Sequence, residues 1–283
     1  MKIKSPYLVK PGARFRLKDW PTNDTGSFKA ESEAQENLEK HRRTLGKLQE
    51  VLFAEAKHAL LIVLQAMDTG GKDGTIRHIF TGVNPQGVNV TPFKVPTPLE
   101  AAHDYLWRAH AAVPRLGTIG IFNRSHYEDV LVTRVHKTIS DKLAKRRFRE
   151  INQFEEMLHD NNVTILKFFL HISHKEQTAR LKARCDDKEK QYKISESDFH
   201  ERVFWHKYRE YYEDAIGATS QKHAPWFVIP SDHKWYRNVA VSQIVVDALD
   251  GMNLKYPQPT FDVSKVCSEL YEDNYRQKQA TAD

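Results

Sequence analysis

Ala59-Leu-Leu-Ile-Val-Leu-Gln-Ala-Met-Asp-Thr-Gly-Gly-Lys-Asp-Gly-Thr75 runs from an apolar block straight into a glycine-rich turn. The block Ala59 to Leu64 is rich in branched side chains, the pattern of a short strand buried in a parallel sheet. A helical pattern over about 72–82 follows the turn. Strand, glycine turn and helix in that order are the context of a phosphate-binding loop. The glycines let the backbone curl until successive N–H groups face inward, and the helix behind adds its positive end. Lys72 would reach the transferring phosphates, with Thr69, Gly70, Gly71, Asp73, Gly74 and Thr75 forming the cradle.

Two positions depart from the usual G-x-x-x-x-G-K-[ST] pattern: Ala66 replaces the first glycine, and Asp73 stands where a magnesium-holding hydroxyl is expected. A carboxylate beside a phosphate repels it unless a cation lies between them. Asp68 and Asp73 therefore argue for a divalent ion held partly by carboxylate oxygens, with Asp68 the stronger ligand. Asp73 is equally suited to capping the following helix or meeting its dipole.

A second buried-strand pattern, Gly117–Phe122, leads into Asn123-Arg-Ser-His-Tyr-Glu-Asp129. Ligands of open α/β sheets bind at the carboxyl ends of strands, which places this cluster beside the glycine turn. Asn123 occupies the place of the magnesium-linked Asp of P-loop enzymes, where an amide ligates weakly or orients water. Arg124 is suited to holding an acceptor phosphate bidentately. Glu128 and Asp129 would bind metal, position Arg124 or begin a helix; His126 reads as a structural hydrogen-bonding residue. Phosphoryl transfer demands positioning and charge neutralisation more than a strong base.

Further strands are expected at Gly87–Val95, Val163–Leu170 and Pro225–Ile229, and helices at about 30–57, 98–112, 140–160, 174–190, 196–215 and 233–250. This alternation predicts right-handed crossovers and an α/β, P-loop kinase-like fold with about five parallel strands flanked by helices. With no repeat or linker, the chain reads as an arm over 1–30, one domain over 31–270 and a tail over 271–283.

A basic insertion at about 172–195 carries Lys175, Arg180, Lys182, Arg184, Lys188, Lys190 and Lys193, as a lid over phosphates would. Arg180 and Arg184 share a helix face, while Glu176, Asp186, Asp187 and Glu189 make part of the segment an ion-paired surface. A second run, Lys142 to Arg149, with Arg134 and Lys137, would extend a positive track suited to a long polyanion and sensitive to salt. The aromatics Phe204, Trp205, Tyr208, Tyr211 and Tyr212 have core spacing. After the last strand, Asp232 and Lys234 are nucleotide-binding candidates, with a helix cap at Ser231 or Asp232 as the plainer reading.

The net charge of +6 fits an anionic partner. The longest apolar stretch is far too short to cross a bilayer and the start lacks the apolar block of a signal peptide, so a cytoplasmic protein without membrane partner is expected. Cys185 and Cys267 have no metal-type spacing and are expected to be reduced.

Taken together, Leu64-Gln-Ala-Met-Asp-Thr-Gly-Gly-Lys-Asp-Gly74, Phe122-Asn-Arg-Ser-His-Tyr-Glu-Asp-Val130 and Ser231-Asp-His-Lys-Trp-Tyr-Arg-Asn238 resemble the polyphosphate kinase 2 family over roughly 30–255. The resemblance implies Mg2+-dependent transfer, with Mn2+ as a substitute, between inorganic polyphosphate and purine nucleotides. It also implies a thymidylate-kinase-like fold with a helical lid, in dimers or tetramers, with no nucleic-acid partner. By the same resemblance Asp68 binds metal, Gly71 and Lys72 hold phosphates, Arg124 binds an acceptor phosphate and the lid cations grip the chain. Asn123 stands where some relatives carry Asp, which makes it the weaker metal ligand. The Ser-His-Tyr-Glu-Asp wording resembles the branch acting on both mono- and diphosphates. The expected reaction converts AMP and ADP, with GMP and GDP as further acceptors, into the next higher phosphates, reversibly. An ATP-dependent nucleoside monophosphate kinase and a non-catalytic polyanion or nucleic-acid binder are the competing readings.

Overall fold

In the computed structural model, residues 3–194, 196–268 and 270–271 are described. Five parallel strands, β1 (Ala59–Ala66), β2 (Val88–Pro92), β3 (Ile119–Asn123), β4 (Val163–His171) and β5 (Trp226–Pro230), form one sheet in the order β2-β3-β1-β4-β5. The glycine turn thus leaves the central strand, flanked by the ends of β3 and β4. Leu64 pairs with Asn123 on one side and Phe168 on the other.

The α-helices that follow the chain around the sheet are α1 (Glu31–Glu55), α2 (Lys72–Ile79), α3 (Pro98–Ala101), α4 (Trp107–Ala111), α5 (Val132–Val135), α6 (Asp141–Asp160), α7 (His174–Asp186), α8 (Glu196–Arg202), α9 (Trp205–Thr219) and α10 (Lys234–Asp250). Strand side chains alternate between the two faces. Leu60, Ile62 and Leu64 join a core with Leu45, Leu52, Ile244 and Val245 from α1 and α10. Leu61 and Val63 join the other core, with Ile151 and Phe154 of α6 and Ile216 of α9. A strand covered on both faces must be apolar throughout, which is why the decisive block has no polar alternation.

Three expected helices are interrupted. The 98–112 pattern breaks between α3 and α4, where Asp104 Oδ1 accepts from the Leu106 N–H at 2.9 Å and turns the chain. The 174–190 pattern ends at Asp186, because Asp187 Oδ1 takes the Glu189 N–H at 3.0 Å. The 196–215 pattern divides into α8 and α9 around Val203 and Phe204.

Residues 1–30, expected as an arm, are largely docked where they are described. Leu8 pairs antiparallel with Phe227 beside β5, and the Val9 N–H donates to Trp226 O at 2.9 Å. Leu17 is wholly buried. The segment covers the open edge of β5 that a sheet would otherwise present to water. The tail expected over 271–283 lies, beyond Tyr271, outside the described residues, as does Ser195 of the lid segment. No helix among the described residues is long and apolar enough to cross a membrane.

Candidate active site

The turn after β1 closes through a Gly70 N–H to Met67 O hydrogen bond of 2.9 Å and passes through left-handed backbone at Thr69 (φ 62°) and Gly71 (φ 100°). Gly71 then caps α2, so Lys72 is the first residue of that helix. A side chain at Gly71 would be strained, and its Cβ would stand 1.9 Å from Arg237 Nη1. Thr75 is buried and its hydroxyl donates to Gly71 O at 3.1 Å, so it braces the loop from behind instead of facing a ligand.

The turn opens on a cleft of about 780 Å³ lined by Asp68, Thr69, Gly71, Lys72, Asp73 and Gly74, and by Asn123 and Arg124 from the end of β3. Arg184, Lys190 and Lys193 reach it from the basic segment over 172–195, and Lys234 and Arg237 from α10. Burial, and then the nearby Arg124 guanidinium, push the Lys72 ammonium down to about 8.

Asp68 and Arg124 meet as an ion pair with Nη2 2.6 Å from Oδ1, and Arg124 Nη1 donates to Glu128 Oε2 at 3.2 Å. Burial works against the Arg124 guanidinium, but the carboxylates of Glu128 and Asp68 outweigh it and hold the charge above the usual arginine range. Arg124 has φ 62°, a left-handed conformation that non-glycine residues seldom adopt away from a functional turn. Asn123 Nδ2 donates to Asp73 Oδ1 at 2.7 Å, joining the two motifs a second time. Behind them, Ala66, Glu128, Arg202, Trp205 and Tyr208 line a small adjoining cavity of about 30 Å³.

Several candidates stand elsewhere than expected. Arg134, assigned to a polyanion track, is buried between Asp141 and Asp214, at 2.9 and 3.0 Å, with its guanidinium 3.8 Å from the Tyr211 ring centre. Lys137 is exposed after α5 and does not line the cleft. The second basic run is drawn into α6 contacts: Arg146 pairs with Glu150 at 2.7 Å and Arg147 donates to Asp129 O at 2.7 Å. Asp129 itself turns to Arg108 at 3.4 Å in a separate cavity, where burial pushes its carboxyl up. Asp232 accepts on both oxygens, from Thr22 Oγ1 at 2.7 Å and from the Ser173 N–H at 2.8 Å, so in this structure it ties the segment before α1 to the start of α7. Arg180 lines the cleft but spends its donors on Glu176 Oε1 at 2.7 Å, Thr69 O at 3.0 Å and the Ser231 carbonyl, tying α7 to the glycine turn.

His126 is fully buried among Phe122, Tyr127 and Phe154, but neither ring nitrogen has a hydrogen-bond partner and Nε2 stands 3.6 Å from Glu155 Oε1, so it is a packed core residue without the hydrogen bond expected of it. Trp205 and Tyr212 are buried, in keeping with core spacing. Sequence reading passed over Arg237, although it lies three residues after Lys234 and so on the same helix face. It also passed over Lys167 and Glu155, buried below the Asn123–Asp129 segment and 2.5 Å apart.

Among the described residues no cluster of three or more His, Cys, Asp and Glu side chains forms a metal cage. The oxygen donors facing the cleft are instead the carboxylates of Asp68 and Asp73 and the amide of Asn123. Thr69 Oγ1 and Glu128 Oε1 are buried without a hydrogen-bond partner. Such a donor set suits a hard cation that keeps part of its water and shares its remaining positions with phosphate.

The sequence model described as Polyphosphate kinase 2 matches residues 29–257. An AMP/ADP-polyphosphate phosphotransferase of Meiothermus ruber is 52% identical over 264 residues, covering 93% of this chain and 99% of that protein. An ADP-polyphosphate phosphotransferase of Rhodopseudomonas palustris is 39% identical over 273 residues, covering 92% of this chain and 94% of the relative. The crystal structure of polyphosphate kinase 2 from Arthrobacter aurescens TC1 superposes with a TM-score of 0.91 at 40% identity, covering 94% of this chain and 95% of that one. With the P-loop architecture, the paired motifs and these matches agreeing over nearly the whole length, the chain belongs to the polyphosphate kinase 2 family.

Proposed function

We propose that the protein transfers a phosphoryl group from inorganic polyphosphate to AMP and ADP, giving ADP and ATP, and that it runs in reverse because one phosphoanhydride replaces another. The observation that carries this reading is the meeting of Arg124 with Asp68, 2.6 Å apart, at the mouth of a cleft whose other walls are the Lys72 cradle and the basic lid.

The backbone N–H groups of the turn and the Lys72 ammonium hold the donor phosphates. Arg124, withdrawn from Asp68, grips the acceptor phosphate bidentately and aims its oxygen in line with the terminal phosphorus. That oxygen forms the new P–O bond as the anhydride bond to the remaining chain breaks. The shortened chain leaves with the electron pair on its oxygen, so no general acid is required. The lid, clamped to the loop by Arg180, excludes water and so prevents hydrolysis.

A divalent ion, Mg2+ with Mn2+ as substitute, would be held by Asp68 and Asp73 with Asn123 in support, and when bound it supplies neutralisation of phosphate charge. Glu128, with one oxygen on Arg124 and one without partner, sets the choice between mono- and diphosphate acceptors. The reading extends to GMP and GDP as further acceptors, to an assembly of two or four copies and to a cytoplasmic setting.

The test is a product profile with long-chain polyphosphate as sole donor, magnesium, and AMP or ADP. ADP and ATP are the expected products. Turnover with ATP plus AMP but none with polyphosphate would overturn the assignment.

A further inference from the structure

Arg237 lies in the first turns of α10, 2% exposed, beneath the glycine turn. Its Nε and Nη2 donate to the neighbouring Asn238 Oδ1 at 3.2 and 2.8 Å, and Nη1 reaches Gly70 O at 3.4 Å. These acceptors are all neutral. Among the described residues no carboxylate forms an ion pair with it, whereas Arg124 and Arg134 each have two and Arg180 has one. The charge closest to it in effect is Arg180, a second cation, which together with burial pushes the guanidinium down to about 9. A buried charge is normally paired, and guanidinium does not shed its proton to escape the cost. The free protein therefore carries an uncompensated cation under its phosphate cradle.

The position is as specific as the burial. A Cβ at Gly71 would come within 1.9 Å of Arg237 Nη1 and one at Gly74 within 3.4 Å of Nη2, so the loop is glycine partly to let this guanidinium approach. Lys234 lines the cleft beside it, and burial depresses its ammonium as well. Sheet order fixes the direction of approach. Arg124 follows β3 on one side of β1, whereas α10 follows β5, beyond β4 on the other side.

We propose that Arg237 is a catalytic residue of the donor side, its guanidinium contacting polyphosphate phosphates seated on the Gly70–Gly74 turn, with Lys234 beside it and Arg124 left to the acceptor. The inference rests on the polyphosphate reading for the identity of the anion, but not for the contact itself. Binding supplies the counter-charge that the fold withholds. Part of the strain of the empty site is thereby released when the donor arrives.

The experiment compares full-length wild type, Arg237→Met and Arg237→Lys by thermal melting, without anion and with tripolyphosphate or long-chain polyphosphate in magnesium buffer, and by steady-state kinetics. Without anion, Arg237→Met should melt no lower than wild type, because the unpaired buried charge is gone. Its melting shift on adding either anion should fall to less than half, and kcat/KM for polyphosphate should drop about 100-fold, with KM for ADP nearly unchanged. Arg237→Lys should fall between, since it keeps the charge and loses the fork. A Met variant that melts lower or fails to fold, or that keeps the full anion-induced shift, overturns the proposal and makes Arg237 a prop for the loop. Should wild type show the Arg237-dependent shift but no turnover of polyphosphate, the anion contact stands and the substrate assignment alone fails.

Discussion

Asn123 Nδ2 donates to Asp73 Oδ1 across 2.7 Å, so the amide expected to face a metal ion is, without one, the partner of a carboxylate on the other motif. Only a donor can occupy this place beside Asp73 without repulsion. Asn123→Asp would set two carboxylates against each other, a pair that must share a proton or a cation. Without divalent ion the variant should melt slightly lower than wild type, by at most about 1 kcal/mol of stability for a pair this exposed. In magnesium titrations followed by melting, half-saturation should move to lower concentration. An unchanged titration would remove Asn123 and Asp73 from the ion site.

Lys72 opens α2 and lines the cleft formed by the glycine turn. Lys72→Ala should lower kcat/KM for polyphosphate by roughly 100-fold or more, about 3 kcal/mol of transition-state stabilisation. Circular dichroism and melting should stay near wild type, because the side chain faces the cleft. Retention of most of the activity would reassign the cradle.

Arg134 separates structure from substrate. Buried between Asp141 and Asp214, it should behave as a packing element: Arg134→Ala should cost about 1–3 kcal/mol in denaturant melts. The salt dependence of KM for polyphosphate should not change. Lys193→Ala, from the lid wall of the cleft, should do the reverse and reduce the log–log salt slope by roughly one phosphate contact. A flattened slope in Arg134→Ala would restore the polyanion track.

The contrast shows what sequence could carry. The β1 strand, the turn and α2 were legible because their determinants are contiguous: an unbroken branched run, glycines at fixed offsets, then helical spacing. The Asp68–Arg124 meeting followed from a rule about strand ends, with no side-chain detail needed. The surroundings of Arg134 and Asp232 were not legible because Asp214 and Thr22, which each of them meets, lie 80 and 210 residues away. A buried ion-paired arginine and an exposed substrate arginine look alike in a string of letters. The docked segment before α1 was hidden for a similar reason, since its pairing with β5 has no local period.

His171, at the end of β4, gives a pH dependence. It is 5% exposed, and burial, with Arg209 adding to it, pushes the imidazole down to about 4. The unfolded chain binds a proton near 6.5 that the folded chain refuses until about 4. The stabilisation is therefore fully present above 6.5 and is lost as pH falls through that window, by up to roughly 3 kcal/mol. Chemical denaturation from pH 7.5 to 4 should show this slope in wild type, and His171→Gln should flatten it. An equal slope in the variant would assign acid sensitivity to other groups.

Lys167 and Glu155 form a buried pair at 2.5 Å, closed by Tyr127, whose hydroxyl accepts from Lys167 Nζ and donates to Glu155 Oε1, both at 2.9 Å. Tyr127 immediately precedes Glu128, so the pair underlies the segment that carries Arg124 and Glu128. Removing one charge strands the other: Lys167→Met should cost about 3–5 kcal/mol, and Lys167→Met with Glu155→Leu should recover much of it. In the single variant burial would hold the Glu155 carboxyl above its unfolded value. Its stability would then be greatest below the unfolded value and lost as pH rises through the folded one, the opposite of the His171 slope. The double variant should lack that slope and melt near wild type, yet show a raised KM for ADP, because Tyr127 has lost the two partners that fix it. A double variant as unstable as the single would mean the ion pair itself stabilises the core, and an unchanged KM would free Glu128 from dependence on it.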